Sequence, residues 1–398
     1  YKVDSINSKK SPIYEHGLED LLNYLVPTRL RVETQYYDVI LNSDATFIAV
    51  GTPSLKRGRM DEKYVINASK EIGEVLKNKK DHLVIVKSTV VPGTTKEKII
   101  PIIEKYSGKK FPNDFSVVTN PETLREGSAL EDFLYPDRII IGSSDEESIE
   151  KVKELYQKLD LYNTENKRSI PIFETGFAEA EMIKYTSNAM LATRISFSNE
   201  IGNICKSLGI KTNDVIYGIG LDNRIGPHFL RSGIGFGGSC FPKDLEALIN
   251  LARGIGYNPD ILQSVLDVNK RQPQKVFEIL EKYEPIKNKK IGVLGITFKD
   301  NTDDIRESPA LEIIKNLLHE GVKINVYDPL GMEKIKEIYP HIEYKNRPEE
   351  VIKDSEIILV LTEWKEFKKL DYGNKIVIDG KNVFDNSSRP KNYEGLCW

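Results

Sequence analysis

The chain contains little cysteine. Its 398 residues include three cysteines, Cys205, Cys240 and Cys397, which lie far apart and form no CxxC pair. This spacing provides neither a disulfide framework nor a cysteine metal site, and it is typical of proteins from a reducing compartment. We therefore expect a cytoplasmic protein without a bound metal.

Long apolar runs and an excess of one charge are also missing. No apolar run reaches the ~18 residues that a membrane-spanning helix needs, and the segment from Tyr1 to Lys10 is polar rather than signal-like. Charged residues make up 29% of the chain, yet the net charge is only -3, and acids and bases are interspersed. The pattern argues against nucleic-acid or membrane-surface binding and favours a small-molecule partner.

A glycine-rich phosphate loop of the form G-x-G-x-x-G does not follow a strand at the amino end of the chain. The nearest candidate, Gly292-Val-Leu-Gly295-Ile-Thr-Phe298, follows a predicted strand but lacks the third glycine. As a fingerprint it is weak, although it could still cradle a nucleotide.

Two stretches of the chain alternate short apolar runs with amphipathic helical patterns, at residues 44–143 and again after Pro285–Lys290. Such alternation predicts parallel sheets covered on both faces. Between them, apolar spacings of three and four predict a helix from about Ala178 to Leu208, on the order of 45 Å long. We predict an α/β fold with two Rossmann-like, doubly wound domains joined by a helical segment with a long central helix. The predicted domains cover residues 1–172, 173–284 and 285–398.

Polar clusters follow three predicted strands of the first domain, at Gly51-Thr52-Pro53, Lys87-Ser88-Thr89 and Thr119-Asn120-Pro121-Glu122. The carboxyl ends of parallel strands meet at one edge of a sheet, where doubly wound folds bind ligands. Any one cluster is also explained by ordinary turn chemistry. Three together favour a single ligand site.

The candidate nucleophile is Cys240, which follows Gly235, Gly237 and Gly238 and precedes Pro242. Proline suits the first turn of a helix, so the thiol is predicted to lie just before a helix N-terminus. The backbone dipole there, with Lys243, would favour the thiolate, and glycines allow close approach of a substrate. A lone cysteine is usually only a small buried apolar residue, and Cys205 fits that description.

Two pairs of polar residues are each four positions apart. Lys184 and Asn188 share a face of the predicted long helix, among apolar neighbours that imply burial, so the lysine needs a purpose or a partner. Glu122 and Glu126 would share a face if a helical turn started after Pro121. Paired carboxylates near a nucleophile can act as bases.

Taken together, these stretches resemble the UDP-glucose and GDP-mannose dehydrogenase family over essentially the whole chain. The matching segments have the family's order and spacing: Ser11-Pro-Ile-Tyr-Glu-His-Gly-Leu-Glu19, Val50-Gly-Thr-Pro53, Lys87-Ser-Thr-Val90, Asn120-Pro-Glu122, Lys184-Tyr-Thr-Ser-Asn188-Ala189, Arg224-Ile-Gly-Pro227, Gly237-Gly-Ser-Cys-Phe-Pro-Lys-Asp244, Phe298-Lys-Asp300 and Arg306-Glu-Ser-Pro309.

The resemblance implies oxidation of a sugar C6 alcohol to a carboxylate with NAD, through an aldehyde and a cysteine thioester. The residues it implies in catalysis are Cys240, Lys184, Asp244, Asn188, Glu122 and Thr89. Those it implies in NAD binding are Thr52, Thr89, Glu126, Lys243 and Arg306. Those it implies in binding the nucleotide sugar are Leu124, Lys184, Asn188, Arg224, Phe229, Gly237, Phe298 and Lys299.

The resemblance also implies an NAD-binding first domain, a central dimerisation domain with the cysteine loop, and a UDP-sugar-binding last domain. A homodimer through the long helix would let Arg224 reach the neighbouring subunit's substrate. A first βαβ unit of about 30 residues is expected before Tyr1. The chain departs from the family at Thr123, where an aromatic residue is usual, and at Lys381, where many members have arginine.

The sequence is compatible with three functions. UDP-glucose as substrate is favoured by Arg224-Ile-Gly-Pro227 and by Asn120-Pro-Glu-Thr-Leu-Arg-Glu-Gly127. GDP-mannose or a UDP-N-acetylhexosamine is the alternative substrate. The missing phosphate loop motivates a third hypothesis, a catalytically silent nucleotide-sugar-binding protein, against which the presence of Cys240, Lys184 and Asp244 argues.

Overall fold

The computed structural model describes residues 1–55, 58–164 and 170–398. Two compact units are formed, one by Tyr1–Ser187 with Glu246–Tyr257 and one by Asn188–Leu245 with Asn258–Trp398. Each unit is built around one β-sheet. Within the described ranges, no helix combines the length and the apolar character needed to cross a membrane.

The described residues of the first unit form seven complete α-helices and five strands. The helices are α1 (Lys2–Asn7), α2 (Leu18–Leu25), α3 (Tyr37–Leu41), α4 (Lys63–Leu76), α5 (Ile100–Ser107, preceded by a π turn at Thr95–Ile99), α6 (Ala129–Leu134) and α7 (Glu146–Thr164). The strands are β1 (Ala45–Ile48), β2 (His82–Val86), β3 (Phe115–Thr119), β4 (Ile139–Gly142) and β5 (Ile172–Thr175).

The strands of the first sheet are ordered β1-β2-β3-β4-β5. Strands β1, β2 and β3 are mutually parallel, as predicted, whereas β4 runs antiparallel to β3. The prediction of an all-parallel sheet is therefore wrong at β4. Helix α6 lies in the connection between these two strands, and the chain enters β4 at the edge of the sheet where β3 ends.

Strand β2 shows why this sheet is covered on both faces. Its apolar residues alternate between two core clusters, Leu83 and Ile85 in one and Val84 and Val86 in the other. All five residues of the strand are buried. This is the pattern expected of a central parallel strand rather than of a half-exposed one.

The long helix α8 covers Phe177–Leu208 and is continuous over 32 residues. Its bounds confirm the predicted helix. The later helices are α9 (Thr212–Gly220), α10 (Phe241–Gly254), α11 (Asp260–Arg271), α12 (Gln274–Leu280), α13 (Pro309–His319), α14 (Met332–Ile338) and α15 (Pro348–Asp354).

The sheet of the second unit has six parallel strands. They are β6 (Lys290–Leu294), β7 (Lys323–Tyr327), β8 (Glu343–Tyr344), β9 (Ile357–Val360), β10 (Ile376–Asp379) and β11 (Asn392–Gly395), ordered β8-β7-β6-β9-β10-β11. This is the doubly wound Rossmann order, and the strand order reverses between β6 and β9. Ligands bind such sheets at the carboxyl ends of the strands beside that reversal. The predicted fold class is confirmed.

A buried histidine makes the stability of the first unit depend on pH. The side chain of His82 is buried in β2, where Nε2 lies 2.8 Å from Thr46 Oγ1. Burial, with the nearby charge of Lys79, lowers the pKa of His82 to about 4.

We expect the free energy of unfolding to fall as the pH drops from about 6.5 to about 4, because the unfolded chain then binds a proton that folded His82 excludes. The loss would approach about 3 kcal/mol. Urea unfolding at several pH values should show a smaller acid loss in His82→Gln than in the wild type. Identical pH dependence in the two proteins would contradict the assignment.

Candidate active site

Hydrogen bonds join the polar clusters at the carboxyl ends of β1, β2 and β3. The buried Thr52 hydroxyl donates to the Thr89 carbonyl over 2.9 Å. The Glu122 backbone N–H donates to the Lys87 carbonyl over 3.3 Å. The three clusters therefore form one continuous polar edge, as their positions in the sequence predicted.

Glu122 and Lys184 form an ion pair at this edge. Lys184 lies on α8 and is only 6% exposed, and its Nζ is 3.5 Å from Glu122 Oε2. The other carboxylate oxygen of Glu122 accepts the Leu124 backbone N–H. The buried lysine thus has the partner that its apolar surroundings required.

The proposed pairing of Glu122 with Glu126 on a helical face is wrong. No helix follows Pro121, and the next helix starts only at Ala129. The Glu122 carboxylate holds the Leu124 N–H, and Arg125 pairs with Asp132 over 2.5 Å. These contacts keep the segment in an irregular conformation, so Glu126 is placed in a separate turn.

Two further polar residues, Lys87 and Glu181, support this edge, and neither was assigned a role from the sequence. Lys87 donates to Asn120 Oδ1 over 2.9 Å, and burial lowers the pKa of Lys87 to about 8. Glu181, buried on α8, accepts the backbone N–H groups of Gly93 and Thr95 over 2.6 and 2.9 Å. Glu181 comes three residues before Lys184, so the two share a face of α8. This spacing could have identified Glu181 from the sequence as a further polar residue of the site.

In the second unit, Cys240 lies directly before the start of a helix, as the sequence predicted. Helix α10 begins at Phe241, and the Asp244 N–H donates to the Cys240 carbonyl over 2.9 Å. The thiol is exposed, whereas Cys205 and Cys397 are buried. Cys240 thus combines access with a position at a helix start, where thiolates are favoured.

A buried carboxylate lies one turn further along α10. Asp244 Oδ2 accepts a hydrogen bond from Asn188 Nδ2 over 2.6 Å, and Oδ1 lies 2.7 Å from Lys243 Nζ. Both Asp244 and Asn188 are buried. The sequence predicted that the Lys243 ammonium would favour the Cys240 thiolate. In the structure this ammonium is paired with the Asp244 carboxylate.

Phe298 packs directly against the cysteine loop. A Cβ atom added to Gly238 would lie 2.9 Å from the Phe298 ring, and the Gly238 N–H donates to the Arg306 carbonyl over 2.9 Å. Phe298 and Lys299 follow β6, beside the point where the strand order reverses. The predicted sugar-binding residues Gly237, Phe298 and Lys299 are therefore close in the fold.

Two backbone N–H groups in the loop after β6 already have a hydrogen-bond acceptor, so they are not available to bind a phosphate. The N–H groups of Ile296 and Thr297 donate to Asp328 Oδ2 over 2.8 and 3.2 Å. A Cβ atom at Gly295, where φ is +90°, would lie 2.4 Å from Thr362. The suggestion that this loop cradles a nucleotide is therefore not supported for these two amides, because a carboxylate already occupies them.

Two predicted arginines are held by neighbouring aspartates. Arg224 is 89% exposed along its side chain and pairs with Asp222 over 2.6 Å. Arg306 pairs with Asp304 over 2.7 Å. Phe229 packs near the start of α10, with its ring centroid 6.3 Å from that of Phe241. In the part of the chain described, no three His, Cys, Asp or Glu side chains cluster as a metal site would require.

Three models of one family match successive parts of the chain. The NAD binding domain of the UDP-glucose/GDP-mannose dehydrogenase family matches residues 1–160, its central domain residues 178–271, and its UDP binding domain residues 292–386. The chain belongs to this family. The sequence-based prediction of an NAD-dependent nucleotide-sugar dehydrogenase is confirmed.

Individual relatives of this dehydrogenase agree with the family models. A UDP-glucose 6-dehydrogenase of Haloferax volcanii is 43% identical over 387 residues, which cover 96% of this chain and 89% of that protein. The structure of a UDP-glucose dehydrogenase from Pyrobaculum islandicum matches with 39% identity and a TM-score of 0.92, covering 100% of this chain and 90% of that one. A UDP-D-ManNAc dehydrogenase from Pyrococcus horikoshii matches with 27% identity and a TM-score of 0.84, covering 99% and 90%.

The exposure of the three cysteines predicts selective alkylation. Iodoacetamide should label Cys240 in the folded dehydrogenase, because Cys205 and Cys397 are buried. Burial also raises the pKa of Cys397 to about 12, so its thiolate fraction at pH 8 is only about 10⁻⁴. Peptide mapping by mass spectrometry after native labelling checks this, and comparable labelling of the buried cysteines would contradict it.

Proposed function

We propose that this dehydrogenase oxidises the C6 alcohol of UDP-glucose to the carboxylate of UDP-glucuronate, in two oxidations on one enzyme. The proposal rests on the exposed Cys240 at the start of α10 and on Asp244, one turn further along, whose buried carboxylate accepts a hydrogen bond from Asn188 on α8. The names of relatives at 39–43% identity favour UDP-glucose, whereas the relative named for UDP-D-ManNAc is only 27% identical.

Cys240 would carry the covalent chemistry. The C6 alcohol would first lose a hydride and its hydroxyl proton to give the aldehyde. The Cys240 sulfur then adds to the aldehyde carbon, and the aldehyde oxygen takes up a proton, giving a thiohemiacetal. Loss of a hydride and a proton from that adduct gives a thioester. Water then adds to the thioester carbonyl, the C–S bond breaks, and the thiol and the carboxylate are released. A bound aldehyde is thereby oxidised without leaving the enzyme.

Lys184, Asn188 and Asp244 would manage protons and oxyanion charge. The Lys184 ammonium and the Asn188 amide are donors spaced four residues apart on α8, suited to stabilising negative charge on the C6 oxygen. Asp244 holds the Asn188 amide through a 2.6 Å hydrogen bond. The buried carboxylate fixes the orientation of a donor that would otherwise rotate.

Glu122 and Thr89 would serve thioester hydrolysis. The Glu122 carboxylate accepts from a backbone N–H and pairs with Lys184, so its position is fixed. It is suited to accept a proton from the attacking water. Thr89 lies on the adjoining strand end, where its hydroxyl would orient that water.

Binding roles follow from the same polar edges. NAD+, when bound, accepts the hydride lost in each oxidation. The hydrogen-bonded clusters after β1 and β2 fit such a ligand at the edge of a doubly wound sheet. Thr52, Thr89, Glu126, Lys243 and Arg306 would hold it. The nucleotide sugar would contact Leu124, Lys184, Asn188, Arg224, Phe229, Gly237, Phe298 and Lys299.

We also propose that the chain acts as a cytoplasmic homodimer with functional domains at 1–172, 173–284 and 285–398. Helix α8 exposes apolar side chains at intervals of seven, seven and four residues: Met190, Phe197, Ile204 and Leu208. Those intervals place them along one stripe of the helix. An exposed apolar stripe of this kind marks a protein interface, and a partner there would bring its own Arg224 to the substrate.

Turnover of purified protein with a panel of nucleotide sugars tests the substrate assignment. We expect NADH formation with UDP-glucose at two NADH per sugar, and little or none with GDP-mannose or UDP-N-acetylhexosamines. UDP-glucose binding without any NADH would instead support the silent binder. NADH formation only with another sugar would replace UDP-glucose as the substrate.

Cysteine variants test the covalent route. Cys240→Ala should lower the formation of UDP-glucuronate by at least ~10³-fold, because no thioester can form. Cys205→Ala is the matched control, since that thiol is buried on α8, and it should keep most of the activity. Retention of full activity by Cys240→Ala would refute the thioester mechanism.

An acidic residue in the apolar stripe tests the dimer. Phe197→Glu should convert the protein to monomers, because a charge would be buried in the interface. Tyr64→Glu is the control, since Tyr64 and Phe197 are both 52% exposed but Tyr64 lies on α4. Sedimentation velocity measures both variants. A wild-type monomer, or dimers of Phe197→Glu, would exclude this interface.

A further inference from the structure

Asn269, on α11, binds the backbone of the cysteine loop at two points. The Phe236 N–H donates to Asn269 Oδ1 over 2.8 Å, and Asn269 Nδ2 donates to the Phe236 carbonyl over 2.9 Å. The backbone N–H and the backbone carbonyl of Phe236 are thereby both hydrogen-bonded to the side-chain amide of Asn269. We call these two hydrogen bonds the Asn269 clamp.

The backbone beside the clamp is adapted to it. Gly235 has φ of +104°, and a Cβ atom there would lie 2.7 Å from Asn269 Oδ1. Any side chain at position 235 would collide with the amide and strain the backbone. This close approach explains why the glycine-rich loop has a glycine at position 235, five residues before Cys240.

Phe236 connects the clamp to both sides of the nucleophile. It precedes Cys240 by four residues, and its ring packs edge-to-face on Phe241, with centroids 5.8 Å apart at 82°. Phe241 is the first residue of α10 and follows Cys240 directly. Holding Phe236 therefore fixes the chain before Cys240 and the helix start after it.

Other contacts fix the loop before and after Phe236, whereas the Asn269 side chain holds Phe236 itself. The Ile234 N–H donates to the Gly380 carbonyl, and the Gly238 N–H donates to the Arg306 carbonyl, each over 2.9 Å. These are backbone contacts on either side of Phe236. Between them, the hydrogen bonds that fix Phe236 come from the Asn269 side chain.

We propose that Asn269 is a positioning residue that holds the Cys240 thiol in its reactive orientation at the start of α10. It would touch neither substrate nor cofactor and would act only through Phe236. Its effect on turnover rests on the function proposed for Cys240. Its effect on the thiol itself does not, and this allows the two proposals to be tested separately.

Two variants remove the clamp to different extents. Asn269→Ala loses both hydrogen bonds, whereas Asn269→Asp keeps the acceptor for the Phe236 N–H but cannot donate to the Phe236 carbonyl. We expect kcat with UDP-glucose to fall about 10- to 100-fold in both, the effect of a small misplacement of a reacting group, with KM changed by less than about threefold. The rate of Cys240 alkylation by iodoacetamide should fall about two- to fivefold, because the thiolate is no longer held at the helix start.

Asn203→Ala is the matched control. Asn203 and Gln272 form a side-chain amide pair in the same unit, with N···O distances of 3.1 and 3.4 Å, and neither contacts Phe236 through a side-chain amide as Asn269 does. This variant should lower the unfolding temperature as Asn269→Ala does, while keeping wild-type kcat and wild-type Cys240 alkylation.

Folded Asn269 variants with wild-type kcat and wild-type alkylation would overturn the proposal, and so would an equal alkylation loss in Asn203→Ala. If Asn269→Ala does not fold, Asn269→Asp supplies the test. Slower alkylation in a protein that oxidises no nucleotide sugar would support the clamp and refute only the proposed function.

Discussion

The hydrogen bond between Asp244 and Asn188 is the contact on which the cysteine-bearing part of the structure depends. It joins the first turn of α10 to α8 over 2.6 Å, with both side chains buried. A buried carboxylate is costly unless donors satisfy it, and Lys243 supplies a second one. Loss of either donor would therefore affect the helix start where Cys240 lies.

Charge pairing is a common feature of the predicted binding residues. Lys184, Arg224 and Arg306 each pair with a carboxylate, those of Glu122, Asp222 and Asp304. The Arg224 pair is exposed, and exposed pairs contribute little to stability, whereas Asp304 in the Arg306 pair is buried. A diphosphate could take over the Arg224 guanidinium through bidentate contacts at small cost. The buried Lys184 pair is different, because releasing it would leave a desolvated charge.

Patterns in the sequence predicted those features that depend on local chemistry. Alternating apolar runs predicted the strands, and helical spacing predicted α8 to within one residue of Phe177. The position of Cys240 before a helix followed from Pro242. These features depend on neighbouring residues, so periodicity and turn chemistry were sufficient to predict them.

Features that depend on distant partners were not predictable in the same way. The turn at Glu122 follows from a hydrogen bond to Leu124 and a pair between Arg125 and Asp132, which prevented the expected helix. The Asp328 carboxylate that accepts the N–H groups after β6 comes from the residue after β7, 32 residues away from Ile296. A sequence pattern shows that such polar groups need partners, but it does not show which partners they find.

The Cys240 loop and Arg224 differ in the number of contacts that hold them in place. The nucleophile's loop is fixed by backbone pairs at Ile234 and Gly238 and by the Asn269 clamp. Arg224, by contrast, is exposed, and among the described residues its ion pair is with its neighbour Asp222. A thioester route needs a sulfur that stays in place through two oxidations and a hydrolysis. The contacts that fix the Cys240 loop therefore match what the proposed reaction requires.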